Sequence, residues 1–262
     1  MFRPMLTRIA TGLVLAPLVV LLLLEGPAWA VAVVFIAAAG LCASELAAML
    51  LPGRVLDRAV AVAVTLGVLV ALWQAPMALL EGLLVSFLVP ALAVLARPHP
   101  LETAALRLAT LWASFVYIVL PFSFGIELAV LPDRGPILLL LAVVWAGDTG
   151  AYFVGKALGR HKLYPAVSPK KTIEGSLGGL AASVGVAVAF ATLWMPSLGV
   201  VRAVLIGLVG GVAAQVGDLV ESLLKRAAGV KDSGNLLPGH GGMLDRVDGV
   251  IFAFPVVFAL LG

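Results

Sequence analysis

Residues 137–145 read Ile-Leu-Leu-Leu-Leu-Ala-Val-Val-Trp, nine apolar side chains in succession, and residues 14–24 form a second apolar run without a charge. A transmembrane β-strand alternates apolar and polar positions because its faces meet lipid and lumen, so neither run suits a barrel. A helix satisfies its own backbone and accepts apolar side chains all round when its solvent is lipid. Working outward, the long apolar runs give nine candidate helices. They are Ile9 to Leu24, Ala28 to Leu51, Ala59 to Trp73, Met77 to Ala96, Leu106 to Val130, Pro136 to Phe153, Gly175 to Trp194, Val200 to Leu224 and Val247 to Leu261. Gly26-Pro27, Pro52-Gly53, Pro76, Pro98, Pro132, Pro165, Pro196 and the 238–242 loop punctuate them. The 262 residues are 62% apolar and 12% charged, against about 25% charged in soluble domains, which excludes a water-soluble globule. The expected fold class is therefore all-α: a polytopic integral membrane helical bundle of about nine transmembrane helices.

Lys and Arg in short loops orient such a bundle, with the richer side cytoplasmic. Arg3 and Arg8 precede the first span, Arg54 and Arg58 follow the second, and Arg97 and Arg107 follow the fourth. Five more, from Lys156 to Lys171, follow the sixth; Lys225, Arg226, Lys231 and Arg246 follow the eighth. Only Arg134 and Arg202 fall on the other side. The alternation predicts a cytoplasmic N-terminus in a multi-pass protein of the cell (inner) membrane. Arg3, Arg8, an apolar stretch and Ala28-Trp29-Ala30 also match the layout of a cleaved signal peptide. The charge alternation holds only if the first span stays, so that span reads as a permanent anchor. Cys42 is the only cysteine, which rules out an intrachain disulfide and argues against a thiolate metal site. A net charge of +3 with no basic tail gives no reason to expect a nucleic-acid partner.

Charge chemistry changes character along the chain. Every basic residue before 145 is Arg, whereas all six lysines lie between Lys156 and Lys231. The C-terminal part also carries Asp148, Glu174, Asp218, Glu221, Asp232, Asp245 and Asp248. This divides the chain into a scaffold of about five helices (1–135) and a catalytic transmembrane region with motif loops (136–262). Glu45 and Glu81, isolated in the scaffold, read as helix-end or inter-helix hydrogen-bonding residues.

Asp218, Glu221 and Lys225 recur at i, i+3 and i+7 and so share one helical face near the end of the eighth span. Ionisable groups at membrane depth are costly and mark functional sites by default. Asp245 and Asp248 repeat the three-residue spacing where the last span begins. Two carboxylate pairs flanking one loop suit a hard cation such as Mg²⁺, which prefers oxygen donors. Between them, Lys225 to Asp232 and Pro238-Gly-His240-Gly241-Gly242 combine cations with glycine-rich backbone, a pattern that cradles phosphates. A third cluster runs from Trp145 through Asp148 to Tyr152 and on to Ser168-Pro-Lys170-Lys171-Thr172-Ile-Glu174-Gly175. Asp148 lies inside an apolar helix and calls for a partner, and Thr172 is placed to cap the following helix.

The segment Ser222-x-x-Lys225-Arg226-x4-Lys231-Asp232-x5-Pro238-x-His240-Gly241-Gly242-x-x-Asp245-Arg246-x-Asp248 resembles the signature of the phosphatidate cytidylyltransferases, the CDP-diacylglycerol synthases. The 145–152 and 168–175 stretches are similar to further motifs of that family, and together the likeness covers about 40% of the chain at motif level. Ile173 stands where many members have an aromatic residue, and Gly249 where many have Ser; neither departure touches a charged position. The resemblance implies cytidylyl transfer from CTP to phosphatidate, by Mg²⁺-assisted in-line attack of the lipid phosphate, in a homodimeric membrane enzyme with a cytoplasmic active site. It assigns Asp218, Glu221 and Asp245 as metal ligands, with Lys225, Asp245 and Asp248 catalytic. Asp148, Ser168, Lys170, Lys171, Ser222, Arg226, Lys231, His240, Gly241 and Arg246 would bind substrates, and a second cation is compatible with this set. Two alternatives stay open: the same chemistry on an isoprenoid lipid phosphate, or an ion-coupled transporter using Asp148, Asp218 and Asp248 as relay groups.

Overall fold

A computed structural model describes residues 17–236 and 241–261. Residues 17–25 are helical and are labelled α1. It is followed by α2 (Ala28–Leu50), α3 (Val55–Gln74), α4 (Leu79–Leu95), α5 (Ala104–Ser114) and α6 (Leu120–Val130). Then come α7 (Gly135–Leu158), strands β1 (Lys162–Tyr164) and β2 (Ser168–Thr172), α8 (Ile173–Leu193), α9 (Val200–Leu205), α10 (Gly211–Ala227) and α11 (Leu244–Leu261). Single π-helical segments, Phe115–Val119 and Ile206–Gly210, join α5 to α6 and α9 to α10. The first has a cause in the sequence: Pro121 brings no N–H to the ladder, and Leu120 reaches back to the Phe115 carbonyl one residue further than usual.

Seven helical stretches among the described residues are long and apolar enough to cross a membrane: Ala28–Leu50, Val55–Gln74, Pro76–Leu95, Leu101–Val130, Gly135–Leu158, Ile173–Leu193 and Val200–Ala227. The protein is an all-α, multi-pass membrane protein. Half of the first expected span, Ile9 to Leu24, lies outside the described residues, and its residues 17–24 fall in α1. The last corresponds to α11, whose opening residues include Asp245, Arg246 and Asp248. Helix α3 starts four residues earlier than its hydropathy suggests, at Val55 rather than Ala59. Asp57 does not break it, because the carboxylate is buried in an ion pair instead of solvated in a loop.

The chain divides into two compact units. Of the described residues, the first holds those from 17 to Val130 and those of the segment Ala228–Arg246. In it α2 packs on α3 and α6, and α3 packs on α4 and α5. Leu46, Leu69, Ile118, Phe122 and Leu128 are fully buried among these helices, while Leu80, Leu84, Leu88 and Leu92 of α4 stay exposed, as a lipid-facing surface requires. Arg107 of α5 and Asp57 of α3, each 2% exposed, form a two-pronged pair at 2.7 and 2.9 Å.

The second unit holds Leu131–Ala227 and Val247–Gly262, of which Gly262 is not described. Its centre is the α7–α8 seam, closed by small residues because apolar side chains gain little by leaving lipid and close backbone approach supplies the packing. Gly147 and Gly150 of α7 face Gly178, Gly179, Ala182 and Ser183 of α8, and Ser183 donates to the Val143 carbonyl at 2.9 Å. Gly207 and Gly211 bring the α9–α10 stretch equally close to α8, and Gly217 brings α10 against α11 at Asp248 and Phe252. The antiparallel β1–β2 hairpin, an addition the helical pattern did not announce, pairs Lys162 with Thr172 and Tyr164 with Ser168.

Candidate active site

The second unit contains a cavity of about 500 Å³ where α7, the hairpin, α8 and α10 meet. Asp148 comes from the middle of α7, Lys170 and Lys171 from β2, and Asp218 from α10. The hairpin delivers the lysines because β2 runs directly into α8. Thr172 is the N-cap, its hydroxyl accepting the Gly175 N–H at 3.1 Å. Glu174 fastens the other strand's approach, accepting from the His161 ring at 2.6 Å and from the backbone N–H groups of Arg160 and His161. Within the cavity Lys171 Nζ lies 2.5 Å from Asp218 Oδ2, both groups about a third exposed. Gln215 ties α10 to α8 through the Ser176 hydroxyl and, at 3.0 Å, the Ser176 carbonyl.

Three carboxylates from three helices, Asp148, Asp218 and Asp248, lie within range of one another's charge, with Lys171 and Lys225 as nearby cations. Asp248 also accepts the Gly249 N–H at 2.8 Å. One turn along α10 from Asp218, Glu221 is fully buried and ion-paired with Lys225. Ser222 is 3.5 Å from Asp218 Oδ1, and Arg226 reaches the Val167 carbonyl beside the hairpin at 3.4 Å. Ser168 opens β2 opposite Tyr164.

The remaining expected residues belong to the first unit's segment 228–246. Here Asp245 Oδ2 accepts from the backbone N–H of Ser233 and of Gly242, each at 2.8 Å, and from the Ser233 hydroxyl at 2.9 Å. Glu45 of α2 completes the clasp, taking the N–H of Met243 at 2.9 Å and of Leu244 at 2.8 Å, with Ser233 Oγ at 3.0 Å. Gly241 adopts φ +79°, and a side chain there would press on Asp245. A side chain at Gly242 would overlap Glu45 and Ser233. Lys231 and Arg246 are exposed. His240 lies outside the described residues.

The structure thus brings Asp148, Lys170, Lys171 and Asp218 to one cavity and couples Asp248 to it by charge. Glu45 reads from sequence as a helix-end or inter-helix hydrogen-bonding residue, not linked to the motif loop. It is buried and accepts hydrogen bonds, as its first reading allowed, but its partners are the motif loop itself. The only signal was a carboxylate inside an apolar helix. No three His, Cys, Asp or Glu side chains gather into a metal cage among the described residues. The donor set nevertheless fits Mg²⁺, an ion that keeps most of its water and phosphate ligands and takes one or two carboxylates from protein.

A bundle of helices long and apolar enough to cross a membrane, holding a cavity lined by lysines and aspartates, defines a class of polytopic membrane proteins with a charged internal site. The chain belongs to the cytidylyltransferase family, whose model matches residues 6–262. The phosphatidate cytidylyltransferase of Bacillus subtilis (strain 168) is 45% identical over 148 residues, 56% of this chain and 55% of that protein. That of Staphylococcus aureus (strain COL) is 49% identical over 127 residues, 48% of each. For Synechocystis sp. the figures are 49% over 121 residues, 46% of this chain and 41% of the relative. The chain spans about half the length of the curated relatives it matches.

Proposed function

We propose that the protein transfers the cytidylyl group of CTP to phosphatidate, giving CDP-diacylglycerol and pyrophosphate. The observation that carries this reading is the cavity in which Lys170, Lys171, Asp148 and Asp218 meet among lipid-crossing helices. A phosphatidate phosphate oxygen forms a bond to the α-phosphorus of CTP, and the bond from that phosphorus to the bridging oxygen of pyrophosphate breaks, the leaving group taking the electron pair. The attacking phosphate is already an anion, so no strong base is needed; the work is positioning and charge neutralisation.

Lys170 and Lys171 hold substrate phosphate in this reading, and Asp218 fixes where the Lys171 ammonium points. Glu221 does the same for Lys225 one turn along α10. A bound Mg²⁺ supplies further neutralisation of the phosphates. Asp218 would hold it, with Asp148 and Asp248 sharing the same field. Glu221 and Asp245 keep their motif-based assignment as ligands alongside the contacts described above. By motif, Ser168, Ser222, Arg226, Lys231, His240, Gly241 and Arg246 engage substrates. The site faces the cytoplasm in the cell membrane, and the protein acts as a homodimer.

The test is incubation of the purified protein with labelled CTP, phosphatidate and Mg²⁺. The expected result is a lipid-soluble cytidine product with equimolar pyrophosphate. No such product with any phospholipid acid overturns the reading.

A further inference from the structure

A second charged cavity, of about 360 Å³, lies wholly within the first unit. It is formed where the α2–α3 and α4–α5 connections come together, and Arg54, Leu56, Arg97, His99 and Arg107 are among its walls. We propose that this cavity binds the phosphate of an anionic glycerophospholipid, independently of the cytidylyl-transfer site.

The donors divide into two sets. Arg107 is committed: its Nε and one terminal nitrogen bond Asp57, and the other terminal nitrogen donates to the Arg97 carbonyl at 2.7 Å. That buried pair is the floor, and it anchors the backbone that carries Arg97. Arg54 spends one terminal nitrogen on the Thr103 hydroxyl at 3.2 Å, which leaves most of its fork for another acceptor. No carboxylate among the described residues forms an ion pair with Arg54 or Arg97. The His99 ring adds a further N–H at the rim. The cavity therefore presents two guanidinium groups whose planar, forked donors match a phosphate.

The surroundings decide between a dissolved phosphate and a lipid headgroup. Val55 and Leu56, both in the cavity wall, are 73% and 60% exposed, and Leu95 and Leu101, two residues in sequence from the lining residues Arg97 and His99, are 73% and 64% exposed. Apolar side chains displayed next to an arginine pocket at the ends of membrane helices suit a ligand with a charged head and acyl chains. Charge-based orientation alone accounts for arginines in these loops, but not for their convergence on one cavity above a neutralised floor.

The test is lipid retention by the full-length protein in detergent, read by native mass spectrometry. The probes are short-chain phosphatidylglycerol, short-chain phosphatidylcholine and inorganic phosphate. Wild type is expected to retain phosphatidylglycerol over phosphatidylcholine, and Arg54→Gln/Arg97→Gln to lose affinity for it by about tenfold or more. Lys170→Gln/Lys171→Gln, which alters only the other cavity, is expected to retain it. Unfolding midpoints without lipid report on folding; if the double variant misfolds, Arg97→Gln alone carries the test, since Arg107 holds the backbone carbonyl at 97 and not its side chain. Unchanged retention in a folded variant overturns the proposal. So does displacement by inorganic phosphate at equal concentration, which would mark a site for a soluble anion.

Discussion

At the scale of single residues, two carboxylates from the same motif region sit in different surroundings. Asp218 is partly exposed and paired with an equally exposed lysine, a contact worth under about 1 kcal/mol. Asp218→Asn is expected to abolish formation of the lipid-soluble cytidine product while shifting unfolding by no more than that, as thermal denaturation in detergent will show. Asp245 instead orders its own loop through three hydrogen bonds, and Glu45 seals it. Glu45→Ala orphans the N–H groups of Met243 and Leu244, which at 1–3 kcal/mol each predicts a loss of about 3 kcal/mol. Limited trypsinolysis reads this locally: cleavage after Lys231 is expected to accelerate. The aspartates of the cavity were legible because ionisable residues in apolar runs stand out, whereas Lys170 and Lys171, in a polar connection, were legible only through the likeness of 168–175 to family motifs. Glu45 stood out as well, but nothing beside it in sequence names what it binds.

At the scale of elements, the cavity depends on how closely α7 and α8 approach. A side chain at Gly150 would come within 2.7 Å of the Ala182 side chain and 2.9 Å of the Gly178 carbonyl. Gly150→Leu is therefore expected to cost about 1–3 kcal/mol by overpacking. Because Asp148 and Lys171 stand on opposite sides of that seam, it also lowers turnover, measurable at a temperature where the variant stays folded. In the first unit Arg107→Leu strands Asp57 without its partner, at about 3–5 kcal/mol, whereas Arg107→Leu with Asp57→Leu recovers most of the loss; paired unfolding curves decide. The helices themselves were legible from hydropathy. The hairpin of residues 162–172 was not, since its short strands are built largely from Lys, Tyr, Ser and Pro, and the start of α3 was hidden by an Asp whose charge Arg107 balances.

At the scale of the whole molecule, the orientation expected from loop charge has a direct assay. Cys42 is the only thiol and is buried, so the wild type gives little background to a membrane-impermeant maleimide. Single cysteines at the exposed positions Glu102 and Arg160 are expected to react only after permeabilisation, and those at Asp133 and Ser197 in intact cells. The division into units was less visible in sequence, because residues 228–246 group with helices that end at Val130, and hydropathy carries no record of such returns. That return sets a timetable. Glu45 is synthesised 188 residues before the Ser233 it clasps, so the nascent chain holds an acid in α2 whose clasp waits until residues 233–244 have emerged. Premature termination before Ala228 would leave it so permanently, and quality-control proteolysis of such fragments is the expected outcome.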